Sequence, residues 1–167
     1  MRAKAIGGKL VISGVGKAGE VGKKIVVTFC SVSLPSAFLH PLEAQHGDLG
    51  LLHLNDVLLL ISNSGQTREV LDLEALARRL IPSLKIVAIT GKKNSQLAKK
   101  SNYVLWTGDL IEACPLGLTP TTSTTCISVV GDVLAVLVVQ MSGYGVDDYA
   151  LRHHSGYLGS KAKGSDI

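Results

Sequence analysis

The run Asp56-Val57-Leu58-Leu59-Leu60-Ile61 is apolar at every position after its first residue. A short strand of that kind has both faces buried and so needs covering layers on each side. The pattern changes immediately afterwards: Ser62-Asn63-Ser64-Gly65-Gln66-Thr67 is polar, and Val70, Leu71, Leu73, Leu76, Ala77 and Leu80 then recur at helical spacing. A loop rich in hydroxyls therefore lies between a buried strand and the first turn of a helix. The unpaired N–H groups and positive dipole end of such a helix attract an anion. Ser62, Ser64 and Thr67 add hydroxyl donors without a fixed charge. That chemistry suits a phosphate monoester on a small polar molecule.

The same alternation runs along the chain. Strands are expected over residues 9–13, 36–39, 56–61, 85–90 and 103–106, and helices over 19–32, 67–81, 95–101 and 121–141. Polar loops are expected after residue 39 as far as Gly50 and over 107–120. Strands that alternate with helices make a parallel sheet with helices on both faces, here a three-layer α/β/α sandwich on a five-stranded sheet. Ligands in such folds bind outside the carboxyl ends of the strands, and the unusual polar loops of this chain all follow strands.

With 167 residues, 46% of them hydrophobic, the chain is read as one domain with a sizeable core. It opens Met-Arg-Ala-Lys with no apolar leader pattern. The apolar stretch 126–141 is shorter than a bilayer span and contains Asp132, so it is expected to be a buried helix. Cys30, Cys114 and Cys126 are odd in number and form no C-x-x-C pair, which fits a reducing, cytoplasmic compartment. The net charge of +4 invites a nucleic-acid reading, but only 4% of residues are aromatic and the lysines are scattered. An enzyme with an anionic small-molecule substrate is the simpler account, with neither nucleic acid nor membrane as partner.

Gly14-Val15-Gly16-Lys17-Ala18-Gly19 matches G-x-G-x-x-G after a strand. A dinucleotide site would need an acid at the end of the next strand to hold the ribose hydroxyls, yet that strand ends at Leu39-His40 and the nearest acid is Glu43. The Walker A spacing is absent as well. The other reading is that the glycines allow close approach and Lys17 points into a site.

Taken together, these motifs resemble those of sugar isomerase (SIS) domains, most closely the arabinose 5-phosphate isomerase family. The resemblance is carried by Gly14-Val15-Gly16-Lys17-Ala18-Gly19, His40-Pro41, Glu43-Ala44, His46-Gly47-Asp48-Leu49-Gly50 and Ile61-Ser62-Asn63-Ser64-Gly65 with Thr67 and Glu69. Ile89-Thr90-Gly91, Glu112-Ala113-Cys114-Pro115-Leu116-Gly117-Leu118, Pro120-Thr121, Ser123-Thr124-Thr125 and Gly131-Asp132 continue it. It covers residues 9–161 and implies a flavodoxin-like SIS domain over 1–161, a tail over 162–167 and no CBS domains.

The resemblance also implies the chemistry: interconversion of D-ribulose 5-phosphate and D-arabinose 5-phosphate through an enediol, by a homotetramer whose sites are completed across subunits. Lys17, Glu69, Glu112 and His153 fall at the family's catalytic positions. His46 matches a substrate-binding histidine, and Ser33, Ser62, Asn63, Ser64, Gln66, Thr67, Thr121, Ser123 and Thr124 fall at substrate-binding places. His40 matches a residue that takes a zinc ion the reaction does not need, and no other cofactor is implied. The chain departs from the family at Ser33-Leu34, where the family has Gly-Thr, and at Arg152-His153-His154-Ser155-Gly156, where it has Ser-His-Pro-Gly-Gly. The alternative is a catalytically silent SIS-domain sensor or regulator that binds a sugar phosphate.

Isomerisation requires a base that takes a carbon-bound proton and returns it to the neighbouring carbon. A carboxylate with a raised pKa suits the task. Glu112 is the expected base because its loop lies at the binding edge. Glu69 is then a relay, Lys17 faces the enediol oxygens, and His46 or His153 assists ring opening.

Overall fold

The structure is a computed structural model describing residues 7–164; residues 1–6 of the expected domain and 165–167 of the expected tail lie outside the described residues. The apolar runs form five strands: β1 (Leu10–Gly14), β2 (Ser36–Phe38), β3 (Val57–Ile61), β4 (Lys85–Thr90) and β5 (Tyr103–Trp106). All pair in parallel, in the order β2-β1-β3-β4-β5. β1 and β3 pair from Leu10 opposite Val57 to Gly14 opposite Ile61. Chain order reverses between these two strands, so the crevice beyond their carboxyl ends is the topological switch point where such sheets bind ligands.

The period-2 alternation of strand side chains divides the core in two. Val11, Leu58, Leu60, Ile86 and Ala88 face one layer, where α2 (Pro41–Ala44), α3 (Arg68–Leu80) and α4 (Gln96–Lys100) bury Ala44, Val70, Leu73, Ala77 and Leu97. Ile12, Leu59, Ile61 and Ile89 face the other, formed by α1 (Gly16–Ser31) and α5 (Thr122–Ser142) with Ile25, Phe29, Ile127 and Ala135. This is the expected three-layer sandwich.

Four local expectations change. α1 begins at Gly16, inside the glycine motif, because Gly19 packs so closely on β1 that a Cβ there would lie 2.7 Å from the Gly14 carbonyl oxygen. Asp56 is not a strand residue: its buried carboxylate accepts from Lys9 N at 2.9 Å, Lys9 Nζ at 2.6 Å and His53 N at 2.8 Å, which brackets the starts of β1 and β3. The stretch read as loop before Gly50 contains α2 and a 3₁₀ turn, Asp48–Leu51. Beyond α5 come α6 (Val146–Ala150) and α7 (Gly156–Ala162), too short to show a clear period.

The expectation for α5 needs the larger correction. It spans 21 residues, with a mean hydropathy of 1.9 over an 18-residue stretch, long and apolar enough to cross a membrane by length and composition alone. Its buried residues form one stripe, Ser123, Ile127, Gly131 and Ala135, laid on Ile25 of α1. Val129, Val133, Val136, Leu137 and Met141 remain 44 to 65% exposed. The helix is thus covered on one side only, with Asp132 paired to Lys24 of α1.

Candidate active site

Two loops meet at the switch point. The loop after β3 is braced from within: the Ser62 and Thr67 hydroxyls share a hydrogen bond of 2.7 Å, and Gly65 N donates to Ser62 Oγ at 3.0 Å. Gln66 N donates to Ser64 Oγ at 3.2 Å. Gly65 adopts φ +62°, and any Cβ there would collide with the Ser95 side chain. Thr67 precedes α3, and because its hydroxyl is committed to Ser62 it does not cap the helix. The N-terminus of α3 is therefore left without a side-chain cap, the arrangement in which a helix end can take an anion.

Ser62 is buried and holds the loop, whereas Ser64 and Gln66 are exposed on its outer surface. Asn63 is tied down through its carbonyl, which accepts from Gly91 N at 3.0 Å and Thr90 Oγ1 at 3.3 Å. Leu97 N donates to Gly65 O at 3.0 Å, so α4, capped by Ser95, supports the loop from below. Ser95 was not among the expected site residues, since its contribution is support from a different loop. Glu69 stands half-buried in the first turn of α3, and Lys17 stands exposed in the first turn of α1, beyond the adjacent strand β1.

The histidines at the end of β2 sit at the same sheet edge. His40 Nδ1 accepts from Leu42 N at 3.3 Å and so caps α2, while His46 is exposed after it. With Nδ1 engaged, His40 retains only Nε2 for a metal. Among the described residues no group of three His, Cys, Asp or Glu side chains is placed to hold one. The donor set of a single chain does not fit a closed zinc site.

Glu112 is positioned differently from expectation. Its Oε2 accepts from Thr121 N at 2.7 Å, Thr121 Oγ1 at 3.1 Å and Ser123 N at 3.2 Å. α5 has no side-chain cap of its own at Thr121, so Glu112 supplies the anion its N-terminus lacks. Hydrogen bonds from the Ser123 hydroxyl and the Thr121 N–H hold the carboxyl at about 2, down from 4.5. The expected upward shift is reversed, because the loop offers donors rather than an apolar wall. Ser123 is buried beneath this clasp, and Thr124 Oγ1 turns back to Thr121 O at 2.9 Å.

Ser33 and His153 lie elsewhere. Ser33 follows α1 at the end remote from Lys17, about 21 Å away at the rise of a helix. Arg152 Nη2 donates to Ser33 Oγ at 2.8 Å, which places the neighbouring His153 at the amino edge of the sheet. The structure therefore joins Lys17, the 62–67 loop and Glu69 at the switch point, and sets Glu112, Thr121, Ser123 and Thr124 at the head of α5. Ser33 and His153 fall at the opposite edge of the same chain.

The SIS domain profile matches residues 7–137. Arabinose 5-phosphate isomerase KdsD of Escherichia coli K12 is 44% identical over 154 residues, 92% of this chain and 46% of that protein. KdsD of Pseudomonas aeruginosa is likewise 44% identical over 154 residues, 92% of this chain and 47% of that one. The chain thus spans about half the length of the curated relatives it matches. A Bacteroides fragilis protein proposed to be a phosphosugar isomerase involved in capsule formation superposes with a TM-score of 0.87 at 54% identity, covering 89% of this chain and 78% of that one. The Escherichia coli CFT073 protein c3406, solved in complex with A5P, gives 0.83 at 36% identity over 90% and 81%. The matched profile, the parallel sheet and the braced loop at its switch point agree: the chain belongs to the SIS domain family.

Proposed function

We propose that this chain is an aldose–ketose isomerase that interconverts D-ribulose 5-phosphate and D-arabinose 5-phosphate. The observation that carries this reading is the placement of Lys17 and Glu69 beside a phosphate-type loop at the switch point. Relatives named arabinose 5-phosphate isomerase at 44% identity, and a similar structure complexed with A5P, supply the substrate class. The phosphate sits on the first N–H groups of α3 with the exposed Ser64 hydroxyl. A base removes a proton from C1 of the ketose while the C2 oxygen gains one, giving the enediol. The O1 proton then leaves as C2 is protonated, and the aldose forms. Lys17 stabilises the enediol oxygens. The reaction draws on no metal or organic cofactor.

The base in this reading is Glu69. A carboxylate held near 2 by hydrogen bonds is a weak proton acceptor, and Glu112 already serves the head of α5. Glu112 is thus a positioning residue for Thr121 and Ser123. His153 opens the aldose ring. Because His153 and the phosphate loop occupy opposite sheet edges of one chain, it serves the site of a second copy in a cytoplasmic homotetramer. The exposed apolar face of α5 is the surface that such copies cover.

Purified, assembled protein incubated with D-ribulose 5-phosphate should form arabinose 5-phosphate without added metal. Absence of turnover refutes the isomerase. Thermal stabilisation by the sugar phosphate without turnover selects the sensor instead.

A further inference from the structure

Past the end of α5, the chain is fastened to the far end of α1 at two points. Tyr144 Oη donates to Ser31 O at 2.9 Å, and Arg152 Nη2 donates to Ser33 Oγ at 2.8 Å. Arg152 also donates from Nη1 to Asp148 O at 2.8 Å, and its guanidinium lies 5.6 Å from the centre of the Tyr144 ring. One planar fork therefore grips its own short helix, the neighbouring ring and the turn after α1. Ser33 holds φ +66°, the one positive value among the described non-glycine residues. Such a backbone is costly for a residue with a Cβ. Arg152 bonds to the hydroxyl that only a side chain at this turn provides.

The next residue is His153. Its Nδ1 lies 3.1 Å from Tyr149 O, and because a carbonyl oxygen only accepts, Nδ1 carries the proton. The Tyr149 ring stacks on the imidazole at 3.7 Å with an interplanar angle of 7°. Nε2 is left as the outward nitrogen of an imidazole whose plane is set by the stacked ring and by this bond. We infer that Arg152 is a positioning residue: by joining Ser33 to the Tyr149–His153 turn, it sets the direction in which His153 presents Nε2. This rests on the reading of His153 as the ring-opening group. Proton removal from C1 does not pass through the contact, so the two steps separate.

The test compares Arg152→Ala, Arg152→Lys, Ser33→Ala and the Arg152→Ala/Ser33→Ala double variant, each checked for fold and assembly by circular dichroism and light scattering. Conversion of ring-closed arabinose 5-phosphate should fall about tenfold in Arg152→Ala. Exchange of the C1 hydrogen of ribulose 5-phosphate with deuterated water should change little. Arg152→Lys, which reaches one acceptor but not both, should recover part of the loss. The double variant should be no worse than Arg152→Ala, the mark of a shared contact. Equal loss of conversion and exchange, additive losses, or no loss overturns the inference. If the wild type has no turnover, the isomerase reading fails on its own, and the imidazole 15N signals of His153 still decide this one. Matching changes in Arg152→Ala and Ser33→Ala support it, and unchanged signals overturn it.

Discussion

Glu112 and Thr121 are joined through one oxygen: the Thr121 N–H at 2.7 Å and the Thr121 hydroxyl at 3.1 Å both donate to Glu112 Oε2. Ala113 N returns the contact to Thr121 Oγ1 and Thr122 Oγ1, each at 3.1 Å. The loop after β5 is thereby clasped to α5, and the carboxylate is occupied in doing so.

That occupancy separates the two glutamates. Glu69→Gln should abolish exchange of the C1 hydrogen of ribulose 5-phosphate, a loss of at least about a hundredfold for a general base. Glu112→Gln keeps an oxygen that accepts from Thr121 and should retain most of the exchange, while Glu112→Ala should lower the melting temperature. Exchange followed by proton NMR in deuterated water decides between them. A Glu112→Gln protein that folds but no longer exchanges would return the base to Glu112.

The sheet and its helices were legible in the sequence because each buried strand is a run of apolar residues and α3 keeps a clean helical period. The phosphate-type loop was legible because Ser62 to Thr67 interrupts that pattern abruptly. The state of Glu112 was not. Its partners are backbone and hydroxyl groups nine and eleven residues downstream, and nothing in the order of residues says whether a loop closes onto a helix end. The same limit hid Arg152. Its acceptor Ser33 lies 119 positions away.

Cys114 reports on the same loop. The Thr119 hydroxyl and the N–H groups of Thr119, Leu116 and Leu118 lower its thiol to about 7. At neutral pH it should react with iodoacetamide faster than Cys30 and Cys126, with half-maximal rate near pH 7. Mass spectrometry of briefly labelled protein measures this. Equal labelling of the three would mean that the 114–119 turn does not form.

Asp56 governs stability in acid. Burial pushes its carboxyl up, but hydrogen bonds from Lys9 and His53 and the Lys9 charge outweigh that, leaving it below its ordinary 3.8. The folded state therefore binds this proton less readily than the unfolded chain. Its stabilisation is complete well above 3.8 and is lost as the pH falls through the folded value. Asp56→Asn should cost about 2 kcal/mol at pH 7, or about 6 °C in melting temperature. The difference from wild type should shrink as the pH falls below 3.8 and through the lower folded value. A constant difference down to pH 2 would show that the Lys9–Asp56 pair is not the source.

If the site is shared between copies, as proposed, the sharing has a numerical signature. Lys17 lies at one end of α1, and His153 is tethered beyond the other through Arg152 and Ser33. Lys17→Ala and His153→Ala should each be inactive alone. When the two are co-expressed in equal amounts and assemble at random, a site that takes Lys17 from one copy and His153 from another is intact in about one quarter of cases. Activity per chain should then recover to about a quarter of wild type. If both groups came from one chain, every site would carry a defect and the mixture would stay inactive. Initial rates on arabinose 5-phosphate, with assembly checked by light scattering, separate the two outcomes. A silent mixture of properly assembled oligomers would place His153 outside the shared site.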